Sequence, residues 1–149
     1  MLTCEERIEA NLADEIEELR LLYRAATDDL SEKERDAMVA EYGEHPEESI
    51  YEHGLCFDYV LAGTFDGQDE GYFRYQISWG GPSDEFRFYT DATLHVHRVE
   101  YVFMNWGDGA KRVLEGDNKQ LLLDVWSLLF EDVAQYKLEE AERCPKVSQ

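Results

Sequence analysis

A chain of 149 residues with 44% hydrophobic and 13% aromatic side chains can build a packed core. That excludes intrinsic disorder and makes one domain, 1–149, the simplest reading. A formal net charge of -20 and a pI near 4.4 exclude direct binding to nucleic acid or anionic lipid, whose phosphates would be repelled.

The amino terminus, Met1-Leu2-Thr3-Cys4-Glu5-Glu6, has neither a basic start nor an apolar run, so no signal peptide is expected. No stretch approaches the ~20 apolar residues of a membrane span. Three cysteines, Cys4, Cys56 and Cys144, show no metal-binding spacing and leave an odd thiol, which fits a reducing, cytoplasmic setting.

Thr3 and Glu6 have the spacing of a capping box. Ile8, Leu12, Ile16, Leu19 and Tyr23 then recur at steps of three and four, predicting an amphipathic helix to about Ala25. Ser31 with Glu34 forms a second box, and a shorter helix is expected from there to Tyr42, stopped by Gly43. Glu47 to His53 can make one more helical turn. Residues 1–52 hold 17 Asp plus Glu against 5 Lys plus Arg, a net charge of -12, whereas residues 53–110 carry -6 and residues 111–149 carry -2.

The middle of the chain alternates side-chain type at period 2, the pattern of strands with one buried face. Strands are predicted at Leu55–Leu61, Tyr72–Trp79, Asp84–Tyr89 and Leu94–Met104, with turns at Gly63–Gly71, Gly80-Gly81-Pro82-Ser83 and Thr90-Asp91-Ala92. Short connections imply an antiparallel meander over 55–104. The fourth strand has apolar residues of both parities. Either both of its faces are covered or a bulge near Arg98 shifts the register. Arg74, Arg87 and Arg98, one per strand amid acids, are expected in cross-strand pairs.

Asn105-Trp106-Gly107-Asp108-Gly109 is read as the end of the sheet, and Ala110 to Leu114 as a short helical turn. Asp117 as N-cap with Gln120 would open a helix over 117–140, whose stripe of Leu122, Val125, Trp126, Leu129 and Val133 covers the sheet. Cys144 to Gln149 is expected to fray. The fold class is thus α+β: two N-terminal helices, a four-stranded antiparallel β-meander and a long C-terminal helix packed on the sheet.

Few residues suggest chemistry. His95-x-His97 is a candidate metal pair, with His53, Asp58 or Asp108 as third ligand, and would serve a small metal-dependent enzyme. Asp66-x-x-Asp69-Glu70 lacks the ligand register of a calcium loop. Gly80-Gly81-Pro82 leads into a strand, so it is not a phosphate loop. No catalytic residue, cofactor or resident metal is assigned.

The stretch Tyr72 to Tyr89, with its Trp-Gly-Gly-Pro-Ser-Asp-Glu-Phe-Arg-Phe core, together with Glu100 to Ala110, resembles a family of small acidic phage- and plasmid-encoded proteins without an established activity. The resemblance covers about residues 54–130 and implies an accessory protein of mobile elements, many of which counter host defence. It carries no catalytic residues over.

Joined to the acidic first third, it gives the leading expectation: a non-enzymatic anti-CRISPR or antirestriction inhibitor in the host cytoplasm. Its acidic surface would mimic nucleic acid and occupy a cationic cleft of a nucleic-acid-binding complex. Carboxylates four apart on a helix lie roughly 6 Å apart along its axis, within the range of spacings a nucleic-acid backbone presents to such a cleft. The partner-binding set is Glu6, Glu9, Asp14, Glu17, Glu18, Asp28, Asp29, Glu32 and Asp36. A structural or assembly protein of a mobile element is the other alternative, and the aromatic surplus on a small sheet is compatible with a homodimer.

Overall fold

The computed structural model describes residues 2–143. Their order is α1 (Cys4–Ala26), α2 (Glu32–Tyr42), a 3-10 turn (Pro46–Glu48), α3 (Ser49–Glu52), β1 (Cys56–Val60), β2 (Tyr72–Ser78), β3 (Pro82–Thr90), β4 (Val96–Asn105), β5 (Asp108–Val113), α4 (Gly116–Val125), a π-helical turn (Trp126–Phe130) and α5 (Glu131–Arg143). They fall into two compact units. One holds the residues up to Ile8 and those from Gly54 onward; the other is Glu9–His53. The segment read as 1–52 is therefore shared between the two. No helix among the described residues is long and apolar enough to cross a membrane.

The sheet is an antiparallel meander in the order β1-β2-β3-β4-β5, so it has five strands where four were expected. The additional strand replaces the helical turn read at Ala110 to Leu114. Trp106 and Gly107, at φ 51 and 84, make a two-residue reversal that sets Asn105 opposite Asp108. Two successive residues at positive φ match the right-handed twist of the flanking strands, which is why the chain returns along β4.

Gly107 adopts this geometry freely, but Trp106 is strained there and its side chain is 90% exposed. Trp106→Asn should therefore raise the unfolding free energy by about 0.5–1 kcal/mol, read as a higher Tm. A lower Tm would mean that the indole contributes packing worth more than the strain.

Of the two alternatives left open for β4, the bulge near Arg98 is present. Tyr89 faces Arg98 and Thr90 faces Val96, which leaves His97 as the additional residue. Beyond it both faces of β4 are covered, since Val99, Tyr101 and Phe103 are buried on one parity and Glu100 and Val102 on the other.

One sheet face carries Phe57, Tyr59, Phe73, Tyr75, Phe86, Phe88 and Tyr101, aligned by the strand register. The C-terminal helix covers it. Trp126 lies 5.1 Å from Phe73 and 5.0 Å from Phe88 between ring centroids, and Phe130 stacks on Phe57 at 4.1 Å. This helix departs from its predicted stripe. Asp117 sits in the first turn while Glu115 is the N-cap, without a side-chain hydrogen bond, so the Asp117–Gln120 box does not form. The π turn inserts an additional residue into the helical phase. Past Trp126 the buried positions are therefore Phe130 and Ala134, and Val133 is exposed.

The opposite face is polar yet partly buried. Arg74 binds the directly opposed Asp58 through Nε and Nη2 at 3.0 and 2.7 Å. Arg87 and Arg98 do not form the expected cross-strand pairs. Arg87 donates to Glu85, two residues away on its own strand, at 2.7 Å, because residues i and i+2 share a face, whereas Arg98 donates to Glu70 in the segment before β2 at 2.9 Å and has Glu100 of its own strand 3.2 Å from Nε. Both guanidiniums also lie over tyrosine rings, Arg87 on Tyr72 and Arg98 on Tyr89.

Candidate functional site

In the helical unit, a 3.6-residue period sorts α1 into two sides. Leu12, Ile16, Leu19, Leu22 and Ala25 are buried, with Leu22 rather than Tyr23 continuing the stripe. Asp14 and Glu17 are exposed on the far side. The predicted capping box opens α2: Ser31 Oγ accepts from Glu34 N at 3.1 Å and Glu34 Oε1 accepts from Ser31 N at 3.0 Å. Gly43, at φ 102, ends it as expected.

Residues 9–53 hold 15 Asp plus Glu against 4 Lys plus Arg, a net charge of -11. Exposure grades these carboxylates, from 12% for the Glu15 side chain through 36% for Glu34, 37% for Glu47 and 42% for Glu18. Eleven of the 15 are exposed, and the remaining four, Glu15, Glu18, Glu34 and Glu47, each have an internal partner.

Glu34 receives both terminal nitrogens of Arg24, at 2.8 and 2.9 Å, a bidentate pair that closes the α1–α2 corner. The Arg24 hydrogen bonds, then the Ser31 amide, hold the Glu34 carboxyl down to about 2. Arg35 donates to Glu47 at 3.0 Å. Two of the unit's four cations are thus engaged in fixing its helices.

His53 follows α3 and turns its ring toward α1. Nε2 lies 2.6 Å from Glu15 Oε1 and Nδ1 lies 3.7 Å from Glu18 Oε1. The Tyr42 hydroxyl donates to Glu18 Oε2 at 3.0 Å. Burial, then the hydrogen bond to Glu18 and the charges of Glu18, Glu41 and Glu15, push that hydroxyl up to about 12.

The structure places the nine predicted partner-binding carboxylates differently. Glu9, Asp14, Glu17, Asp28, Asp29, Glu32 and Asp36 are exposed in the helical unit. Glu18 is not freely displayed; it is half-buried and internally bonded, because its helical position flanks the apolar stripe. Glu6 belongs to the sheet-bearing unit, where the Thr3 amide and hydroxyl donate to its Oε1 at 3.3 and 3.1 Å. Glu41, Glu44, Glu48 and Glu52, outside the predicted set, are exposed as well. Their signal was compositional, a run of acids around a helix end without a strong apolar period.

Among the described residues, the His95–His97 pair is brought to no third ligand. His95 Nδ1 lies 2.8 Å from Thr93 Oγ1, and His97 sits at the bulge. Among the described residues, the one group of three potential metal ligands is Glu15, Glu18 and His53. The Asp66–Glu70 loop is laced instead by Gln68, which accepts from Phe65 N and donates to the Leu61 and Glu70 carbonyls.

Cys4 is buried and bonded to Asp108 through both N and Sγ, and burial, then Asp108, pushes its thiol up. Cys56 is exposed and free, and Cys144–Gln149 lies outside the described residues. No family model matches the chain, and neither a curated protein nor a solved structure matches it significantly.

Proposed function

We propose that the protein is a non-enzymatic inhibitor of a host nucleic-acid-binding defence complex, of the anti-CRISPR or antirestriction kind. Its helical unit occupies a Lys/Arg-lined cleft in the host cytoplasm. The observation that carries this reading is the partition of carboxylates in residues 9–53. Four hold the helices in place while eleven face solvent on a unit of net charge -11. A cleft that binds a polyanion gains its affinity largely from phosphate contacts, so a fixed array of carboxylates competes for the same cations. The sheet-bearing unit acts as scaffold. A mobile-element origin, the expectation attached to the Tyr72–Tyr89 and Glu100–Ala110 stretches, would supply the biological setting.

The test is plasmid or phage rescue against CRISPR and restriction systems, one at a time, with the wild type and with Asp14→Lys/Glu17→Lys/Glu32→Lys/Asp36→Lys. Wild type should rescue at least one system. The variant moves the unit from -11 to -3 and should lower inhibitory potency by about 100-fold, taking about 0.5–1 kcal/mol for each exposed charge contact. Its thermal unfolding should be unchanged or improved, since like charges are removed. Binding of wild type to the rescued complex should also weaken steeply with salt. Rescue that survives the four reversals, or salt-insensitive binding, sinks the reading.

A further inference from the structure

We infer that Glu15, Glu18 and His53 form a binding site for a single divalent transition cation of the zinc or manganese class. The inference does not depend on the proposed inhibitor function. Glu15 and Glu18 are three apart on α1, which brings both carboxylates to one side of the helix. His53 reaches them from the segment after α3, and one ligand atom from each of the three lies within 4.8 Å of the others. Nε2 faces Glu15 while Nδ1 is the nitrogen nearer Glu18, so bonds of about 2.0–2.2 Å from one cation to a single ring nitrogen and both carboxylates require Glu18 to turn toward the Nε2 side. Tyr42 holds the outer oxygen of Glu18 and so fixes the carboxylate's orientation, the part an outer-shell donor plays at a metal site.

Burial and charge point the same way. The Glu15 and His53 side chains are only 12% and 14% exposed. No Lys or Arg among the described residues pairs with Glu15 or Glu18, so two neighbouring carboxylates are compensated only by an imidazole and a phenol hydroxyl. Withdrawing carboxylates from water without a counter-charge is costly. A cation in place of the proton between His53 Nε2 and Glu15 Oε1 supplies that charge. Glu18, 42% exposed, leaves a path for entry and open positions for water. An imidazole beside two carboxylates suits zinc, manganese or cobalt, whereas calcium and magnesium favour all-oxygen sites. Asn11, one turn before Glu15 on the same helix row, has a buried amide nitrogen without a hydrogen-bond partner.

The full chain, stripped with chelator, is titrated with Zn2+, Mn2+ and Mg2+ by calorimetry and followed by thermal unfolding; Co2+ absorption reports imidazole ligation. One Zn2+ per chain and a Tm rise of about 5 °C or more at saturating metal are expected, with little response to Mg2+. His53→Gln and Glu15→Gln should each weaken Zn2+ binding by at least about 100-fold, while His95→Gln/His97→Gln binds as wild type. Should His53→Gln fail to fold, Glu18→Gln, at the most exposed ligand, gives the same reading through a drop of about 10-fold. Absence of stoichiometric uptake by wild type, or uptake undiminished in these variants, overturns the inference. Because the readout is metal binding alone, it stands or falls separately from rescue of phage or plasmid.

Discussion

Trp126→Ala should lower the unfolding free energy by about 3–5 kcal/mol, the range for removing a large buried aromatic. Trp126 is 4% exposed and opens the π turn of the C-terminal helix. Its ring lies 5.1 Å from Phe73, 5.0 Å from Phe88, 5.9 Å from Phe57 and 6.3 Å from Phe130, so one side chain joins β1, β2, β3 and the helix. Truncation would leave a cavity among rings that cannot all close in, since each is fixed on a strand or on the helix itself. Against a typical total of about 5–15 kcal/mol the loss is a large fraction.

Urea unfolding followed by circular dichroism measures it. Trp126→Phe, which keeps most of the ring area, should cost less than half as much. Trp106→Ala is the control, because an indole 90% exposed has little burial to lose. A Trp126→Ala cost under about 1 kcal/mol would show that this aromatic layer is not the core of the sheet-bearing unit.

The second large effect lies on the other sheet face. Arg87→Met should destabilise by about 3–5 kcal/mol, because it strands a carboxylate that is nearly sealed from water. The Glu85 side chain is 2% exposed and that of Arg87 20%, and Nε meets Oε2 at 2.7 Å. Burial works against the Arg87 charge, but Glu85 and then Tyr72 outweigh it, and the guanidinium is held above its usual value. The same guanidinium lies 4.5 Å from the centre of the Tyr72 ring.

Removing both charges is a different matter. Glu85→Gln/Arg87→Met leaves no buried charge behind and should recover most of the loss, as is common when an ion pair is replaced whole. The double-mutant cycle by urea unfolding decides between the outcomes. A double variant as unstable as Arg87→Met would mean that Arg87 acts through its stacking on Tyr72 rather than through the ion pair.

Local chemistry carried much of this architecture in the sequence. The capping boxes at Thr3–Glu6 and Ser31–Glu34, the stop at Gly43, the apolar stripe of α1 and the order of the first four strands rest on interactions between residues close along the chain. Period and turn chemistry report such interactions directly. The acidity of the first third was equally legible, because charge is a property of composition.

Other features were decided only by neighbours distant in sequence. The fifth strand forms because Ala110 and Lys111 find the edge of β4 across a reversal whose first residue is a tryptophan, a residue that signals no such turn. The π turn shifts burial from Val133 to Ala134 because the helix must keep Trp126 and Phe130 on the same aromatic layer.

Which carboxylates face solvent was decided in the same way. Glu17 and Glu18 are adjacent acids on one helix, yet Glu17 is exposed while Glu18 meets Tyr42 and His53, 24 and 35 positions further along. A sequence states which side chains are charged. Only the packing of segments far apart in the chain determines which charges are engaged within the protein and which stay exposed, because that depends on what the fold brings within a few ångströms of each.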